Sequence, residues 1–242
     1  GAVVAFSPSG RRVVTGDVGG VVRSVGGGSR SRRVALHEHR GRILSIAWHP
    51  DNGSFATASS DGTVRLWRSG IGRYPLPVEG HSGEVTAVAW SPDGRQLLTA
   101  GRDGTARLWD SATGDLQWRL DGPRRVIDHA FFTPDGGRAV TVVTGGQGSN
   151  GRTPCVVKVW DTHDGHEVTS FGDQLDLGRV LAVSAQGDRV VTTPMMGALG
   201  GGDGEPDALL SDVHARPPKL VATLRGHTAS LSAAAFSPDG GL

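Results

Sequence analysis

Short stretches of alternating apolar and polar residues, separated by turns rich in Pro, Asp and Gly, follow one another along the whole chain. Alternation over about four to eight residues predicts a β-strand with one buried face. The end of one such strand is marked repeatedly by an aromatic residue followed by Ser, Thr or His and then Pro. The marked positions, with a weaker copy at the fifth, are Phe6, Trp48, Trp90, Phe132, Val183 and Phe236. Their spacings of 42, 42, 42, 51 and 53 residues predict a repeated unit with insertions in its last two copies.

Repeat three shows the organisation of this unit most clearly. The pattern predicts four strands, at Val85–Trp90, Gln96–Gly101, Thr105–Asp110 and Leu116–Leu120. Pro-Asp-Gly follows the first strand and Asp103-Gly104 follows the second, and both are strong turn signals. Four short strands joined by tight turns predict an antiparallel sheet, and its repetition predicts an all-β protein.

The repeats divide the chain into units that together form a single domain over residues 1–242. Their approximate boundaries are 1–38, 39–80, 81–122, 123–173 and 174–225, with a partial sixth repeat at 226–242. In repeats four and five the extra residues, 145–154 and 194–206, fall in the turn between the second and third predicted strands. These insertions are either binding loops or decoration, since surface turns tolerate added length at little cost.

Three short motifs connect the repeat to a known family. They are Gly80-His81, Asp103-Gly104-Thr105 and Trp109-Asp110, and on them the chain resembles the WD40 family over its whole length. The resemblance implies a β-propeller of four-stranded blades, here five complete blades plus one extra strand. Because both ends fall at the first strand of a repeat, we expect a fragment of a larger propeller of about seven blades. The alternative is an unusual ring of five to six blades.

The resemblance also implies a buried network in each blade, formed by a His, a Thr, an Asp and a Trp. By position its members are His39, Thr57, Asp61 and Trp67 in repeat two, and His81, Thr99, Asp103 and Trp109 in repeat three. Such donors satisfy a buried carboxylate without leaving a charge unpaired. Pro123 and Gln174 replace the His in repeats four and five, and Val25 and Ser211 replace the Trp in repeats one and five. We therefore expect blades two and three to be the most rigid.

In the WD40 family partner contacts concentrate on the rim of the central channel, at three positions per repeat. Mapped onto this chain, the candidate partner-binding residues are Arg42, Leu44, Ser60, Glu84, Thr86, Arg102, Val126, Asp128, Leu177 and Arg179. They combine both charge signs with a few apolar side chains, which suits a protein or peptide partner. They form neither a basic groove nor a row of aromatic residues, so nucleic acid is not favoured.

Composition narrows the function classes further. The chain has 25 basic and 24 acidic residues and a net charge of +1, which gives no general attraction to nucleic acid or an anionic membrane. No apolar run approaches the roughly 18 residues that cross a bilayer. The single cysteine, Cys155, has no internal disulfide partner, which favours a reducing compartment and hence a cytoplasmic location.

Three motifs could carry other chemistry, and none has the required context. Residues 146–151 match GxGxxG, but a predicted strand rather than a helix follows them. Asp203, Glu205 and Asp207 alternate as in calcium loops without the rest of such a pattern. The stretch 163–167 carries two His in what reads as a solvent-facing turn, so we predict no metal and no cofactor.

Nucleophile and base patterns of common enzymes are not found in the sequence. We therefore predict a non-catalytic scaffold for protein–protein interaction, a module of a larger regulatory protein. The alternative is a propeller enzyme or small-ligand sensor that uses the mouth of the central channel.

Overall fold

The computed structural model describes most of the chain. The described residues are 2–26, 33–36, 39–68, 72–78, 80–122, 125–143, 156–171, 177–184, 189–194, 208–212, 219–225, 231 and 234. The insertions predicted to begin at residues 145 and 194 lie almost entirely outside them, as does nearly all of the partial sixth repeat.

The described strands form five four-stranded sheets, here called blades one to five, and in each the strands lie in chain order. Blade one contains β1 (Val3–Phe6), β2 (Arg12–Gly16), β3 (Val22–Gly26) and β4 (Arg33–Leu36). Blade two contains β5 (Ile43–Trp48), β6 (Ser54–Ser59), β7 (Val64–Arg68) and β8 (Gly72–Val78). Blade three contains β9 (Val85–Trp90), β10 (Gln96–Gly101), β11 (Thr105–Asp110) and β12 (Leu116–Asp121). Blade four contains β13 (His129–Phe132), β14 (Arg138–Val143), β15 (Val156–Asp161) and β16 (Glu167–Phe171). Blade five contains β17 (Leu177–Val183), β18 (Arg189–Pro194), β19 (Ala208–Asp212) and β20 (Lys219–Leu224).

This architecture confirms the predicted all-β class and is consistent with a β-propeller. The four strands predicted in repeat three agree with β9 to β12, except that β12 continues by one residue to Asp121. Turn chemistry explains the agreement. Gly94 takes a φ of 75° and closes the β9–β10 turn with its amide 2.9 Å from the Ser91 carbonyl oxygen. Gly104 takes a φ of 76°, which is a conformation that residues with a Cβ adopt at a cost.

The core between neighbouring blades pairs a face of large side chains with a face of small ones. Phe55 and Trp67 of blade two are fully buried against Val14 and Val22 of blade one. The other face of blade two carries Ala56, Ala58, Val64 and Leu66, which pack in one cluster with Leu97 and Trp109 of blade three. The period-two alternation of each strand thus serves two interfaces at once, because successive side chains point to opposite faces.

The chain divides into two compact units. The first comprises Gly1–Thr141 with Asp161–His166, and the second comprises Val142–Trp160 with Glu167–Leu242. The first unit contains both complete networks, described below. The second unit has its own apolar cluster, in which Val191, Ala208 and Leu210 are buried and Ala222 and Leu224 pack against them. No helix long and apolar enough to cross a membrane occurs in the described part of the chain.

Candidate partner-binding face

The four network side chains of blade two form one continuous chain of hydrogen bonds. Trp67 Nε1 donates to Thr57 Oγ1 over 2.8 Å, and Thr57 Oγ1 lies 2.7 Å from His39 Nε2. His39 Nδ1 lies 3.0 Å from Asp61 Oδ2. The His39 side chain is fully buried, and that of Asp61 is 12% exposed. The network therefore ties β6, β7 and the turn between them to the segment that enters the blade, in a site largely closed to water.

Blade three repeats this geometry almost unchanged. Trp109 Nε1 donates to Thr99 Oγ1 over 2.9 Å, and Thr99 Oγ1 lies 2.8 Å from His81 Nε2. His81 Nδ1 lies 2.9 Å from Asp103 Oδ2. The side chains of His81 and Asp103 are only 3% and 6% exposed. The structure thus brings together all eight residues that the sequence assigned to the two networks.

The direction of these hydrogen bonds assigns the proton on each histidine. The indole N–H can only donate, so the threonine oxygen accepts it, and the threonine hydroxyl keeps its own proton to donate to a His Nε2 that carries none. The proton on Nδ1 then points to the aspartate. This arrangement needs a neutral imidazole, and burial, although opposed by the charge of Asp103, lowers the pKa of His81.

Two threonines that the sequence analysis did not assign complete the carboxylate shells. Thr63 Oγ1 donates to Asp61 Oδ1 over 2.6 Å, and its amide donates to the same oxygen over 3.0 Å. Thr105 does the same for Asp103, at 2.9 Å and 3.0 Å. Both threonines follow their aspartate by two residues, so the Asp-Gly-Thr motif was the signal that could have identified them. Each carboxylate is thereby provided with donors on both oxygens.

These donors set the protonation of the two aspartates. Burial alone would raise the pKa of Asp61, but hydrogen bonds from Thr63, from the Arg40 amide and from His39 outweigh it and lower the pKa to about 2. The pKa of Asp103 is lowered as well, because donors from Thr105 and the neighbouring His81 overcome the opposing effect of burial.

We expect the protein to lose stability in acid through these groups. A carboxyl whose pKa is lower in the folded state stabilises the fold above its unfolded pKa of about 4, and this contribution disappears as the pH falls toward the folded value. The unfolding free energy from urea titrations should therefore fall between about pH 4 and about pH 2. Asp61→Asn should flatten this dependence, whereas Asp115→Asn, at an exposed turn residue, should leave it intact. Equal slopes for the two variants would contradict the assignment.

Blade five keeps the threonine of the network but not its tryptophan. Thr192 occupies the threonine position and is fully buried, while Ser211 stands where blades two and three have Trp. Among the described residues, Thr192 Oγ1 has no hydrogen-bond partner. An unsatisfied buried hydroxyl costs about 1–3 kcal/mol. Gln174 and Pro123, at the histidine positions of blades five and four, lie outside the described residues.

In blade three the candidate partner-binding residues cluster at the end of the sheet that carries His81 and Asp103. Arg102 Nε donates to Glu84 Oε2 over 2.6 Å, and the Arg102 amide donates to the Glu84 carbonyl over 2.8 Å. The Thr86 hydroxyl contacts the carbonyl oxygens of Ala100 and Ile127. Glu84 and Arg102 therefore present charge at the surface, while Thr86 mainly joins blade three to the next segment.

The remaining candidates divide by exposure. Arg42 is exposed, and its carbonyl accepts the Ser60 amide over 2.9 Å, so this pair matches Glu84 and Arg102 in blade three. Leu44, Val126 and Asp128 are half-buried. Leu177 and Arg179 lie on β17, and their side chains are outside the described part of the structure.

A group of possible metal ligands occurs in the β15–β16 turn. One ligand atom from each of Asp161, Asp164 and His166 lies within 4.8 Å of the others. The same carboxylates already cap the turn, because Asp161 accepts the His163 amide over 2.8 Å and Asp164 accepts the His166 amide over 3.0 Å. Capping of the turn is therefore sufficient to account for aspartates at these two positions. The absence of a metal stays a prediction.

The fold and the networks together define an all-β repeat protein of four-stranded blades, two of which are stabilised by a buried Trp–Thr–His–Asp chain of hydrogen bonds. The family model described as WD domain, G-beta repeat matches residues 30–68, 74–110 and 218–242, and the first two segments contain both complete networks. The three matched segments support a WD40-repeat family, as the motifs indicated. No curated protein matches the chain. WD40 repeats are generally protein-interaction scaffolds and are typically non-enzymatic.

Proposed function

We propose that the chain is a non-catalytic scaffold that binds a protein or peptide partner through the network-bearing ends of blades two and three. The observation that supports this most directly is the pair of exposed arginines, Arg42 and Arg102, on two neighbouring blades. Arg42 has the position of Glu84 in blade three, and Arg102 has the position of Ser60 in blade two. Arg102 is paired with Glu84 across an exposed contact of 2.6 Å. A surface with separated charges and half-buried apolar residues such as Leu44 resembles the polar rim of a protein interface.

The buried networks support the proposal by holding this surface in one conformation. Asp61 accepts the Arg40 amide over 2.8 Å, and Asp103 accepts the Ser82 amide over 3.1 Å. Each aspartate thus fixes a backbone amide two residues before a candidate residue, Arg42 in blade two and Glu84 in blade three. A surface ordered before binding loses less conformational entropy when a partner docks, which favours affinity.

The wider setting is part of the same proposal. In it the blades form a propeller of about seven blades, the repeats follow the predicted boundaries, and the domain serves as a module of a larger cytoplasmic regulatory protein. The WD40 family supports the general role of a scaffold. The chemistry of the proposed partner is inferred from the charges on the surface. A peptide with an acidic residue for Arg42 or Arg102 and an apolar residue for Leu44 fits this surface best.

The proposal can be tested with a displayed library of random peptides selected against the chain. Affinities of the selected peptides are then measured for the double variant Arg42→Glu/Arg102→Glu. We expect at least a tenfold loss, about 1.4 kcal/mol, because two attractive contacts become repulsive. Arg11→Glu is the matched control, since Arg11 is an exposed arginine in the β1–β2 turn at the opposite end of the sheet. Peptides that bind the double variant as tightly as the original chain would overturn the proposed surface.

A further inference from the structure

A second site is indicated at the opposite end of blades two and three. A cavity of about 210 Å³ opens there, away from the candidate partner-binding face. Its lining comes from the β5–β6 turn, the end of β7, the end of β9 and the β11–β12 turn. The lining residues are His49, Asp51, Ser54, Leu66, Arg68, Trp90, Ser111 and Ala112.

His49 stands where the other four blades carry a hydroxyl residue with a structural role. These residues, Ser7, Ser91, Thr133 and Ser184, are buried, and each accepts the amide of the residue five positions later at 2.9–3.1 Å. In blade two Asp51 takes over this turn, accepting the amides of Gly53 and Ser54 at 2.6 Å and 3.2 Å. His49 Nδ1 accepts the Asp51 amide over 3.1 Å within the turn, and the His49 ring also reaches blade three. Its Nε2 lies 3.1 Å from the Gly94 carbonyl oxygen.

Arg68 is the second departure from the repeat, and it lines the same cavity. Blades three, four and five carry Asp110, Asp161 and Asp212 at this position. Asp110 caps its turn by accepting the amides of Ala112 and Thr113 at 2.9 Å and 3.0 Å. An arginine cannot accept these bonds, so the turn-capping explanation fails for Arg68. Two positions of one repeat thus differ in chemistry from their equivalents, and both line one cavity.

Trp90 forms a wall of the cavity and is held less firmly than its counterpart. Trp48, at the same place in blade two, donates its Nε1 proton to the Ala5 carbonyl over 3.2 Å. Trp90 Nε1 is buried and has no acceptor among the described residues. The His49 ring packs edge-to-face against it, with the ring centres 4.6 Å apart. The Trp90 ring can therefore shift to admit a ligand without losing a hydrogen bond, and its N–H can gain one.

The chemistry of the lining indicates the class of ligand. Arg68 supplies a permanent positive charge, whereas the one lining carboxylate, Asp51, already accepts two amides of its own turn. Leu66, the Trp90 ring and Ala112 supply an apolar wall. We propose that this cavity binds a carboxylate carried on a short apolar stem, recognised by Arg68 beside His49 and Trp90. The carboxylate belongs either to a small organic acid or to a side chain or C-terminus of a peptide.

The test follows the indole N–H resonance of Trp90 by NMR, assigned through Trp90→Phe, in the full chain. Butyrate is the small-acid probe, and a short N-acetylated peptide with a free C-terminal carboxylate is the second probe. Butyramide and the C-terminally amidated peptide are their uncharged counterparts. We expect a saturable shift with at least one acid and none with the amides. Binding of butyrate identifies a small acid as sufficient, and binding of the peptide alone identifies a protein partner.

Two variants restore the residues of the other blades and should fold for that reason. Arg68→Asp and His49→Ser should each weaken acid binding, the first by at least about tenfold because a charge-assisted contact is lost. Arg95→Asp makes the same reversal of charge at an exposed position at the same end of blade three and should leave binding unchanged. The proposal is overturned if neither acid shifts the Trp90 resonance, if the amides bind as well as the acids, or if Arg68→Asp binds within twofold of the original chain.

Discussion

Replacing Asp103 by alanine should lower the free energy of unfolding by about 2–4 kcal/mol, because it strands several buried donors at once. The carboxylate accepts hydrogen bonds from His81, from the Ser82 amide and from both the amide and hydroxyl of Thr105, at 2.9–3.1 Å. The side chain is 6% exposed, so water cannot replace these bonds without opening the blade. Removal of the carboxylate should therefore also weaken the hydrogen bond between His81 and Thr99.

Asp17→Ala provides the matched comparison. Asp17 also caps a turn between second and third strands, accepting the amides of Gly19 and Val21 at 2.9 Å and 3.0 Å and pairing with Arg23 at 2.7 Å. Its side chain is 32% exposed, however, and water can take over these donors when the carboxylate is removed. Urea unfolding of both variants should show a clear gap in midpoint at a similar slope. Midpoints that fall by equal amounts would show that the blade-three network adds nothing to an ordinary turn cap.

The strands could be predicted from the sequence because their signals are local. In repeat three the period-two alternation and the Pro-Asp-Gly and Asp-Gly turns lie within a few residues of the structures they determine, and β9, β10 and β11 begin and end where predicted. The networks could be predicted because the family resemblance fixed four positions per repeat. The chemistry of a buried carboxylate then required donors at those positions.

Contacts between blades could not be predicted in the same way. Whether Thr86 faces a partner or its own neighbours depends on where the Ile127 carbonyl lies, and Ile127 is in the next repeat. His49 and Arg68 illustrate the same limit, because only the approach of Trp90 from blade three shows that both line one cavity. Comparison among the repeats did contain a signal for this site. His49 and Arg68 differ in residue type from the residues that cap the equivalent turns of other repeats, and such a difference marks a position for closer inspection.

The rigidity of the candidate face and the presence of the second cavity have a common physical origin. At one end of the sheets, His39 and Asp61 fix the entering segment with the same bonds that blade three uses. At the other end, blade two lacks the hydroxyl and the aspartate that close the equivalent turns. His49 and Arg68 replace these two residues and line the cavity, so the second proposed site lies where the repeat is least regular.

Gly20→Ala should destabilise the chain by about 3 kcal/mol, of which about 1–2 kcal/mol comes from backbone conformation and the rest from overpacking. Gly20 has a φ of +81°, and a Cβ there would lie 2.5 Å from the His39 carbonyl oxygen and 2.8 Å from that of Gly41. Both atoms are backbone, so relief requires moving the segment that positions His39 in its network. Gly10→Ala isolates the conformational cost, since Gly10 has a φ of +69° and a Cβ there would meet nothing within 4 Å. Thermal unfolding should show a clearly larger loss for Gly20→Ala, with a shifted His39 ring resonance in that variant alone. If the two variants unfold together, the close approach of the blade-one turn to His39 does not hold the blade-two network in place.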